Sequence, residues 1–261
     1  MLRKLHDLKG FTVQGKDDKL GKVDDFYFDH DQFIVRYLVL DTGNWLTHDI
    51  NLISTHDVVN IDVDEKEIKV NLSREDLTNS PNIDKNKPIS QVKEEELVEF
   101  FGWPDYWTHD HTSESNLIHA DTRMRKKLLD YKINKDKEKA RESEKEVATN
   151  LRSMEKIKNY KIHAEHENIG HLEDIFVDEE SWIIRYLLVK TKNVLSGEPV
   201  LITPEWIESI SWEEGEIFVD KGKEEIKESP RYEPEKADEY IDRSYEEILY
   251  DHYNEDKYWK K

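Results

Sequence analysis

The chain has 261 residues, a formal net charge of −20 and no cysteine. This length allows two domains of ordinary size, and the lack of thiols excludes a disulfide framework, a cysteine nucleophile and a thiolate zinc site. The excess of 59 acidic over 39 basic residues works against any surface that must bind phosphates.

Targeting and membrane signals are weak in this sequence. Residues 1–7 have no apolar core after their basic residues, which argues against a secretory signal. The longest apolar run, at 186–189, is about four residues, whereas a spanning helix needs about 20. We therefore expect a cytoplasmic protein with no membrane insertion.

An internal repeat organises the chain. Residues 8–81 align without a gap with residues 157–230 at an offset of 149, and 21 of the 74 positions are identical. With a further shift of two or three residues, Glu95-Glu96-Leu97-Val98 matches Glu246-Glu247-Ile248-Leu249, and Tyr106-Trp107 matches Tyr258-Trp259. These matches indicate a duplicated module of roughly 105 residues.

Each repeat has the pattern of short strands. In the first repeat, residues 20–28 are β-rich and residues 33–40 form an apolar, β-branched run that predicts a central buried strand. Further short strands are expected at 52–53, 58–61 and 68–72, with a turn at 64–67. The predicted core is Ile34, Tyr37 or Leu38, Val39, Leu52, Ile61, Ile68 and Val70, with the equivalent residues of the second repeat. Short helices follow, with starts predicted at Ser73-Arg74-Glu75-Asp76 and in a capping box at Ser244-Tyr245-Glu246-Glu247.

The middle of the chain differs from both repeats. Residues 108–150 contain no glycine or proline, and they carry ten positive and nine negative charges. The predicted division is therefore module 1 at 1–107, a charged linker at 108–150 and module 2 at 151–261. The linker is expected to be a helical or flexible tether; the alternative is a helix that lies against the acidic modules or receives a partner.

The ordered series found in both repeats resembles the PRC-barrel domain family. In the first repeat it comprises 20–25, Asp29, 35–39 and 51–54, and in the second 169–174, Asp178, 184–188 and 200–204. The resemblance implies a mainly β fold of two small antiparallel β-barrels, each with short C-terminal helices. In the H subunit of photosynthetic reaction centres and in the ribosome-maturation factor RimM, the family's barrel is a docking or assembly module. The family has no common catalytic residue, so the resemblance implies no enzyme activity and no cofactor.

Aromatic residues near the ends of the modules are the candidate partner-binding residues. They are Trp103, Tyr106, Trp107, Tyr258 and Trp259. Aromatic side chains anchor protein interfaces because they bury large areas at little entropic cost. The alternative is that each tail folds back on its own barrel and completes the core.

Two other residue sets could carry chemistry. His163, His166 and His171 lie close in sequence, but the first repeat has Gln14, Asp17 and Lys22 there, so we expect surface polar residues and no metal site. Arg36 and Arg185 lie within the most apolar strands. We expect them to face solvent or to pair with Asp25 and Asp174, since a buried arginine is rare unless it is paired.

These observations favour a non-catalytic scaffold or adaptor that binds protein partners that the sequence does not identify. The modules are also expected to pack on each other, on the linker or in homo-oligomers. The alternative is an RNA- or ribosome-associated maturation or stress factor that binds through the basic stretch at 123–127. The acidic balance of both modules makes nucleic-acid binding the less favoured function.

Overall fold

The computed structural model describes residues 1–43, 46, 51–81, 83, 89, 91–104, 150–192, 199–232 and 241–260. The chain forms two compact units. The N-terminal unit is Leu8–Met154, and the C-terminal unit combines Met1–Asp7 with Glu155–Lys261. The predicted linker lies outside the described residues except for Asn150.

The N-terminal unit is built on one seven-stranded sheet with the order β5-β4-β3-β2-β7-β6 and β8 added beside β3. Its strands are β2 (Thr12–Gln14), β3 (Lys19–Asp29), β4 (Ile34–Asp41), β5 (Asn51–Ser54), β6 (Val58–Asp62), β7 (Glu67–Val70) and β8 (Leu151–Ser153). Every pairing is antiparallel except β2 with β7, which is parallel. Among the described residues, the helices of this unit are α1 (Arg74–Thr78) and α2 (Gln91–Phe101).

The C-terminal unit repeats this sheet in the order β12-β11-β10-β9-β14-β13, with β1 added beside β10. Its strands are β1 (Leu2–Lys4), β9 (Lys161–Ala164), β10 (Glu167–Asp178), β11 (Ile184–Thr191), β12 (Pro199–Ile202), β13 (Ile207–Ser211) and β14 (Glu216–Val219). Its helices are α3 (Met154–Ile157, whose first residue belongs to the other unit), α4 (Lys223–Lys227) and α5 (Arg243–His252). Pairs such as Leu38 with Ile53 and Leu187 with Ile202 confirm the offset of 149.

The predicted mainly β, mainly antiparallel fold with short helices is confirmed, but no closed barrel is found among the described strands. The end strands β5 and β6 follow each other along the chain through a 3-10 helix at Thr55–Asp57, and no pairing joins them. The second sheet is open in the same way between β12 and β13.

The compact units differ from the predicted boundaries at the start of each repeat. Met1–Asp7 belongs to the unit of the second repeat, and Leu151–Ser153 belongs to the unit of the first. The physical reason is strand pairing: β1 adds to β10 rather than to β3, and β8 adds to β3 rather than to β10. The two repeats therefore exchange their first strands.

Repeated residues explain why the two sheets share one geometry. A side-chain carbon added to Gly21 would lie 2.5 Å from the carbonyl oxygen of Asp41, and Gly170 meets the carbonyl of Lys190 even more closely. Only glycine allows this approach. At the turn before β7 and β14, Lys66 has a φ of 51°, whereas the equivalent Gly215 adopts 67° at no steric cost.

The helix start predicted from the sequence is confirmed in the first repeat but not in the second. A helix begins after Ser73, as predicted, and Ser73 also forms a capping box with Asp76. The predicted box at Ser244 is wrong, since α5 begins at Arg243 and Asp242 accepts the amide of Tyr245. Glu247, the residue expected to complete that box, lies inside the helix, and its neighbour Glu246 is buried and bonds Tyr186.

The buried apolar residues lie on the predicted strands, except at two positions that are less buried than predicted in both repeats. Leu38 is fully buried, as are most predicted core residues and their equivalents. Ile34 and Ile61 are only half-buried, as are Ile183 and Ile210, because all four lie near strand ends. None of the helices in the described residues has the length and apolar character needed to cross a membrane.

Truncating Leu38 to alanine should destabilise the N-terminal unit. The side chain is fully buried, and such truncations cost about 2–5 kcal/mol through lost burial and the cavity that remains. Urea denaturation measures the loss. The matched control is Val59→Ala, at a site 69% exposed, where we expect a change within about 0.5 kcal/mol. Equal losses in the two variants would contradict the burial of β4.

Candidate functional site

The candidate residue Trp103 lies inside the N-terminal unit. It is 7% exposed, and its indole stacks on Phe101 at 4.3 Å between ring centres and packs against Tyr37 at 5.7 Å. Its indole nitrogen donates a 2.5 Å hydrogen bond to Asp57. Trp103 therefore completes its own unit, as the alternative reading of the tails expects, and it is not a surface anchor.

Two further candidates, Tyr258 and Trp259, are half-buried at the end of the C-terminal unit. The ring of Trp259 packs against Tyr250 at 5.2 Å. The guanidinium of Arg185 lies 4.3 Å from the centre of the Tyr258 ring, and that of Arg243 lies 4.2 Å from the Trp259 ring. We call these four residues the arginine–aromatic cluster. Tyr106 and Trp107 lie outside the described residues.

A buried tyrosine–glutamate bond attaches the C-terminal helix of each unit to its sheet. The hydroxyl of Tyr37 donates to Glu94 at 2.8 Å, and Tyr186 donates to Glu246 at the same distance. Both glutamates are almost fully buried. Burial raises the pKa of both tyrosines well above the usual value. This buried hydrogen bond joins α2 to β4 in the N-terminal unit and α5 to β11 in the C-terminal unit.

The repeat in the sequence does not reveal this bond, because the predicted alignment places the two helices one residue out of register. The match of Glu95 to Glu246 is wrong, since Glu94 is the residue that bonds the equivalent tyrosine. The signal in the sequence was a glutamate three residues before a buried leucine in both helices, Leu97 and Leu249.

The two arginines of the central strands contact residues that were not expected. Arg36 donates a hydrogen bond to Gln32 at 2.5 Å and lies 4.0 Å from Asp29. Arg185 lies over Tyr258. Asp25 and Asp174 contact the exchanged strand segments.

The aspartates that repeat in sequence hold the exchanged segments. Asp174 accepts the amide of His6 at 3.4 Å and that of Ile175 at 2.8 Å. Asp25 accepts the hydroxyl of Ser153. Burial raises the pKa of Asp174 to about 6, and the two amide hydrogen bonds offset part of this effect.

The three histidines do not form a metal site in the described residues. His163 stacks on Phe218 at 4.9 Å between ring centres and lies 3.5 Å from Glu216. His166 and His171 do not join it in a group of converging ligand atoms.

Asp29, His30 and Asp31 do bring their ligand atoms together. Their contacts are those of a turn, because Asp29 accepts the amides of Asp31 and Gln32. Asp178 accepts the amides of Glu180 and Ser181 in the same way, although Glu179 replaces His30 in the second repeat. The repeated feature is therefore the aspartate turn rather than a ligand set.

Comparison with known families gives one match. The model of the PRC-barrel domain matches residues 2–77 and residues 152–226, which together cover more than half of the chain. A search of curated proteins found no match.

Replacing Asp174 by asparagine should stabilise the C-terminal unit at neutral pH. Because the folded state raises the pKa of this carboxyl from 3.8 to about 6, its contribution to stability is most favourable below about pH 4 and declines as the pH rises to 6. Above pH 6 the buried carboxylate costs up to about 3 kcal/mol. Asparagine keeps the acceptor oxygen for both amides without the charge. We expect a gain of about 1–3 kcal/mol at pH 7.5 and a much smaller gain at pH 4.

Urea denaturation of wild type and variant at both pH values measures this difference. The control Asp220→Asn changes an exposed carboxyl of the same unit and should have little effect at either pH. A gain from Asp174→Asn that is the same at pH 4 and pH 7.5 would rule out an uncompensated buried charge.

Proposed function

The chain belongs to the PRC-barrel domain family, and from this premise we propose that it is a non-catalytic adaptor or assembly protein that binds protein partners. The observation that carries the proposal is the arginine–aromatic cluster of Arg185, Arg243, Tyr258 and Trp259. Tryptophan, tyrosine and arginine are the residues most enriched at the energetic centres of protein interfaces. Here Arg185, Tyr258 and Trp259 are half-buried and Arg243 is exposed, so part of the cluster is accessible to a partner.

Hydrogen bonds and ring packing hold the cluster in place, which favours a role in binding. The hydroxyl of Tyr258 donates to the buried Glu246 at 2.8 Å, and Arg243 pairs with the same carboxylate at 2.9 Å. Trp259 packs on the buried Tyr250. Side chains that are already ordered lose little entropy when a partner binds, so more of the contact energy appears as affinity.

Buried tyrosines with raised pKa values take part in the packing of both units. The strongest upward shifts in the described residues belong to buried tyrosines, and Tyr37 and Tyr186 are used in the same structural bond in both units. PRC-barrel domains are generally non-catalytic, and these buried bonds fit a packing role.

The charge of the chain favours a protein partner over a nucleic acid. A net charge of −20 repels phosphates, so an RNA partner would need a local basic surface. The charge of Arg243 in the cluster is offset by Glu246, and the neighbouring Lys257 pairs with Asp251 at 2.7 Å. The cluster is therefore better suited to stacking and hydrogen bonding with a protein than to phosphate binding.

Affinity capture from lysate of the native host, treated with nuclease, tests the proposal. Wild type is compared with Trp259→Ala and with Trp212→Ala, a half-buried tryptophan of the same unit that packs on Tyr160 at 6.3 Å. We expect a specific protein whose capture falls about tenfold with Trp259→Ala, the effect of a loss near 1.4 kcal/mol, and which Trp212→Ala retains.

Other outcomes decide against the proposal. Proteins captured equally by all three baits would remove the cluster from partner binding. A parallel capture without nuclease tests the RNA-associated alternative. Proteins captured only in the absence of nuclease, together with salt-dependent binding of RNA by the chain in a gel shift, would support that alternative instead.

A further inference from the structure

Each sheet is completed by a strand from the other half of the chain. In the C-terminal unit, Leu2, Arg3 and Lys4 lie opposite Asp178, Val177 and Phe176. In the N-terminal unit, Leu151, Arg152 and Ser153 lie opposite Asp29, Phe28 and Tyr27. All six positions obey the offset of 149, so one docking geometry occurs twice.

The docking site is the part of the long strand that its own neighbour leaves uncovered. One side of β10 pairs with β11 along most of its length, but on the other side β9 pairs only with residues 167–171. Likewise, β2 pairs with β3 only at residues 19–22. The remaining edge of each long strand would leave amides and carbonyls unpaired if no other strand were added. We call these edges, at 27–29 and 176–178, the strand slots.

Main-chain bonds extend each slot by one residue. The amide of Glu179 donates to the carbonyl of Met1 at 2.9 Å, and the equivalent amide of His30 donates to Asn150 at 3.0 Å. Leu2 and Leu151 are each only 8% exposed. The slot therefore combines ladder bonds with one buried leucine, which are the two elements of recognition by strand addition.

Charge distinguishes the two slots. In the C-terminal unit, Arg3 pairs with Glu179, and the amino group of Met1 lies 3.7 Å from Asp178. Lys4 lies 5.4 Å from the centre of the Tyr232 ring. In the N-terminal unit, two uncharged groups donate to aspartates: Asn150 to Asp31 and Ser153 to Asp25. The more basic strand, β1, thus occupies the slot that is followed by Glu179, where the other slot is followed by His30.

We propose that the strand slots are docking sites for the first strand of a second PRC unit, and that this reciprocal exchange, rather than the linker, holds the two halves of the chain together. The occupant in this protein is the other half of the same chain. Exchange of identical elements is a common route to dimers, and duplication within one chain supplies both partners at high effective concentration. The inference does not depend on the proposed function.

Disulfide trapping tests which strand fills the slot. The chain has no cysteine, so an introduced pair reports its own contact without background. Met1 and Glu179 are joined by a ladder bond, so Leu2 and Asp178 form the next, non-hydrogen-bonded pair, where strands come closest and a disulfide fits. The test chain is Leu2→Cys with Asp178→Cys, carrying a protease site inserted between residues 125 and 126.

Under a mild oxidant we expect a disulfide within one chain, seen as a monomer on a non-reducing gel. After cleavage at the inserted site, this disulfide should still join the two fragments, and reduction should separate them on a denaturing gel. The matched control is Leu2→Cys with Asp29→Cys, which reports pairing of the strand with its own repeat and should stay reduced.

The cysteine-free chain with the same protease site tests what holds the halves together. After complete cleavage, the two fragments should elute together on size exclusion at micromolar concentration. This measurement does not depend on how well the cysteine variants fold.

Four outcomes would overturn the proposal. They are a cross-link in the Asp29 control, a Leu2→Cys/Asp178→Cys chain that stays reduced under oxidant, a cross-linked dimer of whole chains in place of the monomer, and separation of the cleaved fragments in the cysteine-free chain. The dimer would mean that a second chain supplies the strand.

Discussion

The antiparallel ladder between residues 2–4 and 176–178, with its counterpart between 151–153 and 27–29, is the constraint on which the organisation of this protein depends. A sheet edge that lacks a partner is a liability because its amides and carbonyls will pair with any available strand. Here each edge is filled by a segment more than 120 residues away in sequence. The repeat explains why the same solution occurs at both ends, and the pairing explains why compact units and sequence repeats have different boundaries.

Polar residues in the two units also form hydrogen bonds that hold the fold together. Asp25 and Asp174 bind the exchanged segments, Asp29 and Asp178 close the next turn, and a glutamate binds the tyrosine of the central strand. A buried polar group costs free energy unless it is hydrogen-bonded, so these residues are tied to the fold. Under the proposed function, partner recognition therefore falls to surface residues, and we propose the arginine–aromatic cluster for that role.

Much of each sheet could be predicted from the sequence because its signals are local. The run at 33–40 is apolar and β-branched, Gly21 repeats as Gly170, and the structure gives both a physical reason. The exchange of strands could not be predicted in this way. Leu2-Arg3 and Leu151-Arg152 are the same dipeptide, and the aspartates opposite the two leucines are also the same, so the pattern does not say which strand enters which slot.

The candidate site was predicted only in part, for the same reason. Aromatic composition identified Trp103, Tyr258 and Trp259, but it could not distinguish the buried Trp103 from the half-exposed pair, since this depends on Asp57 and on the arginines that the fold brings near. The buried glutamates were missed because a one-residue shift in the helix alignment hid their equivalence.

Hydrogen exchange on a chain that lacks residues 1–4 tests the central claim most directly. The amide of Glu179 is bonded to the carbonyl of Met1, whereas that of His30 is bonded to Asn150. Exchange of the first strands predicts that the deletion removes protection at Glu179 and leaves His30 protected. Loss of protection at His30 with Glu179 unchanged would mean that the first strand pairs with its own repeat, and it would contradict the account.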